Sequence, residues 1–491
     1  MGGTGLAFTS GMEKPSSFIF RLLAYRTFLG LVFNTVLVSF FAGVIGGFLF
    51  FSSASDSVEV LGGTPDLSNL ENFANVAGFV PDGAAEAVAP AVLFDREFIL
   101  ADSDSRISAD FKIPAGLHDR VGFWFDVYSK YDSNQRIIHH ALYPWIIFKI
   151  VDVTQIINSD YPRVRWLRNL KAESAVKNEL AQIRAALKKL SHRKNAVPQN
   201  EYEQLVADAL KPLGDDLTKL AKQASREVRM QMGQRDFFMG GLKASSKYLH
   251  DMEETFASFN LPTELARIPF VESSFNHEAT SYVGASGIWQ FMDSTGRNYM
   301  RVDGLIDERR SPLKATEGAA RLLKENYQIL YKSWPLAISA WNHGPGGIRK
   351  AAKIAGSKDL AIIVQKYRSR SFDFASSNFY SEFLAALHTE KYEKEIFGEL
   401  EKELRNDLVA VKLPRRMKLS KLVNSIGLSM EEFVSCNPDL KRAVRANITL
   451  PAGFKLHLPA SAKSAVDTLF ADVTAKGRTA SVQKPASGMA L

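Results

Sequence analysis

The chain has 491 residues, 46% of them hydrophobic and 23% charged. That length exceeds one ordinary core and suggests roughly three domains, while the composition is globular and excludes a disordered chain. A net charge of +8 suits a polyanionic partner (nucleic acid, anionic lipid or an acidic cell-wall polymer) without choosing among them. The single cysteine, Cys436, excludes an internal disulfide and any cysteine-rich metal site. Its setting, "VSCNPDL", has no reactive-thiol context, so a buried structural cysteine is expected.

Thr27 to Ser55 carry no charge, and "FLGLVFNTVLVSFFAGVIGGFLFF" is long enough to span a bilayer as a helix. Lys14, Arg21 and Arg26 precede this run, and Asp56 and Glu59 follow it. The positive-inside rule then leaves residues 1–26 in the cytoplasm, makes 27–51 a transmembrane anchor and exports the rest. A cleaved signal peptide, cut after Ser52 and Ala54, is the alternative. The run exceeds the usual signal-peptide core, which favours an uncleaved anchor. No lipobox cysteine stands near the N-terminus.

Residues 56–95, rich in small residues, Asp and Pro, read as a linker. Residues 96–224 form an accessory region. Within it "VGFWFDVYSKY" has helical spacing, and "RIIHHALYPWIIFKIVDV" reads as a short strand hairpin. His139 and His140 would point to opposite faces of a strand, with no carboxylate at ligand spacing, so a structural role is expected. Residues 172–258 read as helical, with charges of alternating sign that mark solvated faces and not a nucleic-acid stripe. A denser segment, 225–400, holds most of the motif-like glycines. Residues 405–460 read strand, helix, helix, strand, and 461–491 read as a mobile tail.

Within the dense segment, Leu261, Leu265, Ile268 and Glu272 share one helical face, so a carboxylate stands where the pattern calls for an apolar side chain. Pro269 either kinks this helix or starts a new turn. An unpaired glutamate on an apolar face should have a raised pKa, towards roughly 6, as a general acid requires. The helix pattern alone equally allows Glu272 to end the helix in solvent. The following "SYVGASGIWQFM" favours the buried reading. Gly284 and Gly287 permit tight turns, Trp289 and Phe291 offer flat apolar surface, and Gln290 both donates and accepts. "AISAWNHGPGGIRKAA" repeats this chemistry with Trp341 and Asn342, without a phosphate-loop ending. Such surroundings suit a groove for a carbohydrate bearing acetamido groups.

Five separated motifs now carry a resemblance: "LPTELARIPFVESSFN", "SYVGASGIWQFM", "DERRSPLKATEGAARLLKENY", "WPLAISAWNHGPGGI" and "NFYSEFLAAL". In this order they resemble soluble-type lytic transglycosylase domains, of glycoside hydrolase family 23. The resemblance is strong over about 225–395, weaker over 90–225 and faint beyond. It implies a mainly α, goose-lysozyme-like catalytic domain, preceded by a mixed α/β and helical region. The C-terminal βααβ pattern, with "CNP" and "LPAGFKLHLP", resembles a degenerate LysM module that lacks its Gly-Asp-Thr opening.

The family's catalytic glutamate falls on Glu272. Its sugar-binding motif falls on Gly287, Trp289 and Gln290, preceded by Ser281. Its Ala-Tyr-Asn-Ala-Gly motif falls on Ala340 to Gly344, giving Trp341 and Asn342, and its downstream tyrosine on Tyr380. Trp341 stands where tyrosine is usual, His343 where a small residue is usual and His277 where proline is usual, which puts fine substrate preference in doubt. His343 reads as a substrate or supporting contact before it reads as a second base.

The resemblance implies cleavage of peptidoglycan between N-acetylmuramic acid and N-acetylglucosamine, with 1,6-anhydro ends, no metal and no cofactor. The implied setting is a Gram-negative periplasm, with the chain held in the inner membrane by its N-terminal helix. Export removes nucleic acid as a partner. A goose-type lysozyme-like hydrolase and a non-catalytic wall-binding scaffold are the competing readings.

Overall fold

The computed structural model describes residues 94–405 and 407–471. The expected anchor at 27–51, the residues before it, nearly all of the expected linker and residues 472–491 lie outside these. Among the described residues no helix is long and apolar enough to cross a membrane.

The aromatic helix α1 (His118–Ser129) is buried almost all round, through Val121, Phe123, Trp124, Phe125, Val127 and Tyr128. A helix apolar on every side belongs inside a core. Here α1 packs against α9 (Phe374–Lys391). The Trp124 Nε1–H and the Arg120 guanidinium both donate to Asn378 Oδ1, at 3.0 and 2.9 Å, so the polar groups at this buried contact are satisfied. One hydrophobic core therefore takes side chains from 99–137 and from 238–396. It crosses the accessory boundary read at 224/225.

The expected hairpin forms as β1 (Gln135–His140) and β2 (Ile147–Asp152), antiparallel with Ile137 opposite Ile150. Alternation then sorts neighbours to two faces. Ile137 enters the main core, while Ile138 enters a second one formed by α2 (Arg165–Ser191), α3 (Glu201–Leu210) and α4 (Leu217–Ala224). His139 and His140 are both buried. Burial lowers them to about 3 and about 4, which leaves neutral imidazoles packed on Phe123 and Tyr143 respectively. Within 172–258, read as helical, one stretch is a strand and others are loops between helices. Val228–Met232 is a strand, β3, pairing with the other edge of β1 (Ile137 opposite Gln231). The N–H and C=O groups along that edge need partners once helices cover the sheet, and this requirement overrides local helical preference.

Arg267 decides where the glutamate helix sits. It ends a 3-10 turn (Thr263–Arg267), and Pro269 then opens a separate short helix, α6 (Ile268–Ser273), so the proline starts a new turn. The Arg267 side chain is 2% exposed. It grips Glu390 of α9 with two parallel bonds of 3.0 Å, and its Nη1 reaches Glu253 of α5 (Leu249–Ser258) and the Thr263 carbonyl. Burial alone would raise the Glu390 carboxyl, but Arg267 outweighs it and holds Glu390 below the usual carboxylate range.

Residues 408–459 form a third core. The order is β4 (Leu408–Lys412), β5 (Met417–Lys418), α10 (Leu419–Ser425), α11 (Met430–Cys436), α12 (Lys441–Arg445), β6 (Thr449–Leu450) and β7 (Lys455–Pro459). β4 pairs antiparallel with β7, so the expected strands and helices are present, with a further small pair and helix between them. Asn437, of "CNP", is fully buried and locks α11 to β7 by accepting from the His457 N–H (2.9 Å) and donating to the His457 carbonyl (2.7 Å). Cys436 is half-buried. Residues 463–471, expected within a mobile tail, continue as a helix that seats Val466 in this core.

Truncating Arg267 would leave Glu390 buried and unpaired. Arg267→Ala should cost about 3–5 kcal/mol, and Arg267→Lys, which keeps the charge without the fork, should cost less. Urea unfolding monitored by circular dichroism checks both.

Candidate active site

Glu272 is the penultimate residue of α6 and is half-buried. The chain leaves the helix through two consecutive residues with positive φ, Ser274 (48°) and Phe275 (58°). Neither is glycine, so each conformation costs free energy and must be held by its surroundings. The Phe275 ring packs 4.6 Å from Phe270, and the Ser273 hydroxyl donates to the Ile288 carbonyl at 2.9 Å, which closes the following loop against the helix.

Desolvation is the main influence on Glu272 and pushes its carboxyl up to about 8; the Trp341 side chain, a hydrogen-bond donor, opposes this in part. At neutral pH the group is therefore mostly protonated. Glu272 also has an acidic neighbour, contrary to its isolation in the sequence. Glu382 of α9 is likewise raised, by burial and then by the charge of Glu272. A charged Glu272 thus favours the neutral form of Glu382. Tyr128 of α1 is fully enclosed beside this pair, its hydroxyl pushed well above its ordinary value by burial and by both carboxyls.

The residues expected around Glu272 divide into two sets. Trp341 and Asn342 lie on α8 (Trp334–His343), with Trp341 half-buried and Asn342 exposed. Trp341 is held from behind by Trp289 and Phe291, at ring-centroid distances of 5.4 and 5.1 Å. Asn342 Oδ1 accepts from the Ser376 hydroxyl at 2.7 Å, which fixes its amide while leaving the NH₂ side exposed.

Trp289 departs from its expected place. It is fully buried and its indole N–H donates to Thr316, so it supports Trp341 and forms no groove surface. Phe291 is likewise buried. Ser281 is buried, and its hydroxyl accepts from the Ala285 N–H inside the loop. Gln290 has a φ of 46° and spends its amide donor on the Gly287 and Ala279 carbonyls. Gly287 has a φ of 77°, and a β-carbon there would lie 1.9 Å from the Arg309 carbonyl oxygen, so only glycine fits. These residues shape the loop. Tyr380 is buried too, its hydroxyl raised by desolvation and by Asp110, and it makes no hydrogen bond to Glu272. His343 packs edge-on to Phe372 at 5.1 Å, against space that Gly347 leaves open. His277 is half-exposed, 3.8 Å from the Glu278 carboxylate.

Arg309 and Glu382 escaped the sequence reading. Arg309 Nη1 donates to the Gly284 and Phe291 carbonyls (2.9 and 3.1 Å), while the rest of the guanidinium grips both oxygens of Asp307 (2.8 and 2.9 Å). Nothing in "DERRSP" separates Arg309 from Arg310. Glu382 did carry a signal, being the lone acid between Phe374 and Thr389 in an otherwise apolar or neutral helix. The same anomaly marked Glu272.

The site thus combines a raised carboxyl on a short helix, a tightly braced glycine loop and an aromatic–amide wall. Residues 247–364 match the family described as Transglycosylase SLT domain, and that stretch contains all of these except α9. The chain is also similar to the protein named membrane-bound lytic murein transglycosylase D in two strains of Escherichia coli. It is 26% identical to each over 204 residues, covering 41% of this chain and 42% of either relative. The matched region thus spans about two-fifths of the length of these curated relatives.

Because the Trp341 donor holds Glu272 below where burial alone would put it, Trp341→Phe should move the high-pH limb of the activity profile to higher pH. The pH dependence of kcat/KM on solubilised peptidoglycan measures that shift. An unchanged profile would mean that Trp341 does not hydrogen-bond the Glu272 carboxyl.

Proposed function

We propose that this chain is a peptidoglycan lytic transglycosylase with Glu272 as its catalytic acid and then base. The observation that carries this is the carboxyl itself: desolvated, protonated at neutral pH, and set within the segment that matches the SLT domain. In the proposed reaction protonated Glu272 donates to the oxygen joining N-acetylmuramic acid to N-acetylglucosamine. The bond to C1 breaks, and the sugar's own acetamido oxygen stabilises the cationic centre. Glu272, now a carboxylate, takes the proton of the C6 hydroxyl, whose oxygen closes on C1. The product is a 1,6-anhydro end, and Glu272 is again protonated.

Two-carboxylate glycosidases use an ionised second group as nucleophile or base. Glu382 is raised out of that state, which favours the single-acid route over a double displacement. Asn342, with its exposed amide, is suited to an acetamido group, and Trp341 to a sugar face. In the same reading the 405–460 unit is a degenerate LysM module that adds glycan binding, and 27–51 anchors the chain in the inner membrane on the periplasmic side.

Glu272→Gln should lower turnover of sacculi by at least about 10³-fold, with the fold intact. Mass spectrometry of wild-type products should show anhydro ends. Reducing ends would instead establish a hydrolase, and binding without release of fragments would establish a scaffold. A stability readout accompanies this. The folded protein holds an extra proton on Glu272 between pH 4.5 and about 8, so wild-type stability falls as pH rises through that window. Glu272→Gln should therefore melt above wild type at pH 8, by roughly 2–4 °C, and level with it below pH 4.5.

A further inference from the structure

A cleft of about 400 Å³ opens where the loop after Glu272 meets the C-terminal unit. Five Lys and Arg side chains line it against three Asp and Glu. Most of that acidity is already committed. Asp439 is ion-paired with Lys314 at 2.6 Å, and Asp307 with Arg309. Among the basic groups Lys247 is paired with Glu403. Arg310 donates to the Thr280 hydroxyl at 3.1 Å and lies 3.8 Å from Asp307. Arg442 and Arg445, on α12, are exposed and pair with no carboxylate among the described residues. The cleft therefore presents uncompensated positive charge from the two α12 arginines, and Arg310, which shares Asp307 with Arg309, adds to it. Glu278, 3.4 Å from Lys441, is its accessible acid, and the half-exposed His277 imidazole stands beside it.

We infer that this cleft binds the carboxylate-bearing peptide stem of a peptidoglycan strand whose sugars occupy the site at Glu272. The inference rests on the transglycosylase reading and adds a substrate subsite to it. The lengths are comparable: His277 follows Glu272 by five residues, so their Cα atoms lie at most about 18 Å apart, and an extended four-residue stem spans roughly 14 Å. Charge is satisfied as well. A stem with free α-carboxylates of D-glutamate, diaminopimelate and D-alanine is a net anion, for which arginine forks are suited. Its one ammonium group would find Glu278. On this account His277 replaces the family's proline because that position faces a polar ligand, where an imidazole can hydrogen-bond the peptide.

The test is fluorescence anisotropy of dye-labelled L-alanyl-γ-D-glutamyl-meso-diaminopimelyl-D-alanine with the full chain in detergent. Wild type should bind, and affinity should fall as salt rises from about 50 to 500 mM. Arg442→Glu with Arg445→Glu should weaken binding at least tenfold, whereas the double lysine variant should keep most of it and serves if the glutamates disturb folding. The same peptide with its carboxylates amidated should not bind. Absence of wild-type binding, equal binding by the glutamate variant, or equal binding of the amidated peptide would each overturn the inference. Cleavage of sacculi is read separately, so a chain that cleaves but does not bind the stem loses only this subsite. A chain that binds the stem but does not cleave loses the transglycosylase reading.

Discussion

The arrangement depends on one buried guanidinium. Arg267 closes the turn immediately before α6 and joins it to α9 and α5 at once. Burying a charge is tolerable only when it is paired and its hydrogen bonds are filled, and Glu390, Glu253 and the Thr263 carbonyl do both. The consequence is positional. α6 has only six residues, too few to be stable alone, so its direction comes from what holds its ends. Arg267 holds the first end, and the Phe275 and Ser273 contacts hold the second. Between them Glu272 is directed at Trp341 and at the Glu382 side of α9.

The same helix, α9, carries two carboxylates with opposite fates. Glu390 is held ionised because a cation lies against it, and Glu382 is held neutral because burial and Glu272 lie against it. Environment, not residue type, sets each role. The neutral pair is unfavourable for folding at alkaline pH, since an unfolded chain would ionise both groups freely. An enzyme that needs a protonated acid at neutral pH accepts that loss of stability at the site itself. The braces around it, including the Asn378 hub and the Arg309 contacts, are fully hydrogen-bonded and supply rigidity elsewhere.

Periodicity reported the glutamate well, because a carboxyl on an apolar helical face is a local anomaly. It reported the surrounding loop less well. Trp289 and Phe291 look like exposed aromatic surface in a one-dimensional reading, yet they are the layer beneath Trp341. The direction of a side chain in a glycine turn depends on φ values that sequence does not show. Arg267 and Arg309 were illegible for a related reason: their partners Glu390 and Gly284 are remote in sequence. β3 was missed because its pairing with β1 is a tertiary demand. The C-terminal strands and paired helices, by contrast, rest on short-range alternation and a Ser429–Glu432 capping box, and both are local.

The bracing does not stop at the loop after Glu272. Arg309 holds that loop by the Gly284 and Phe291 carbonyls and is itself gripped by Asp307, whose backbone N–H donates to the Asp439 carbonyl of the C-terminal unit. The Asp439 side chain, wholly buried, meets Lys314 of α7 (Pro312–Ile329), which also reaches Glu308 at 3.1 Å and lies 4.4 Å over the Phe454 ring. Ile306, two residues before Glu308, is buried in the core of the C-terminal unit. A buried ion pair adds little net stability over an apolar contact, but a misregistered docking would leave both charges unpaired in a dry interface. The pair thus selects one docking geometry. A module tethered by a linker would be held by proximity alone; one docked in this way shares a single rigid frame with the loop after Glu272.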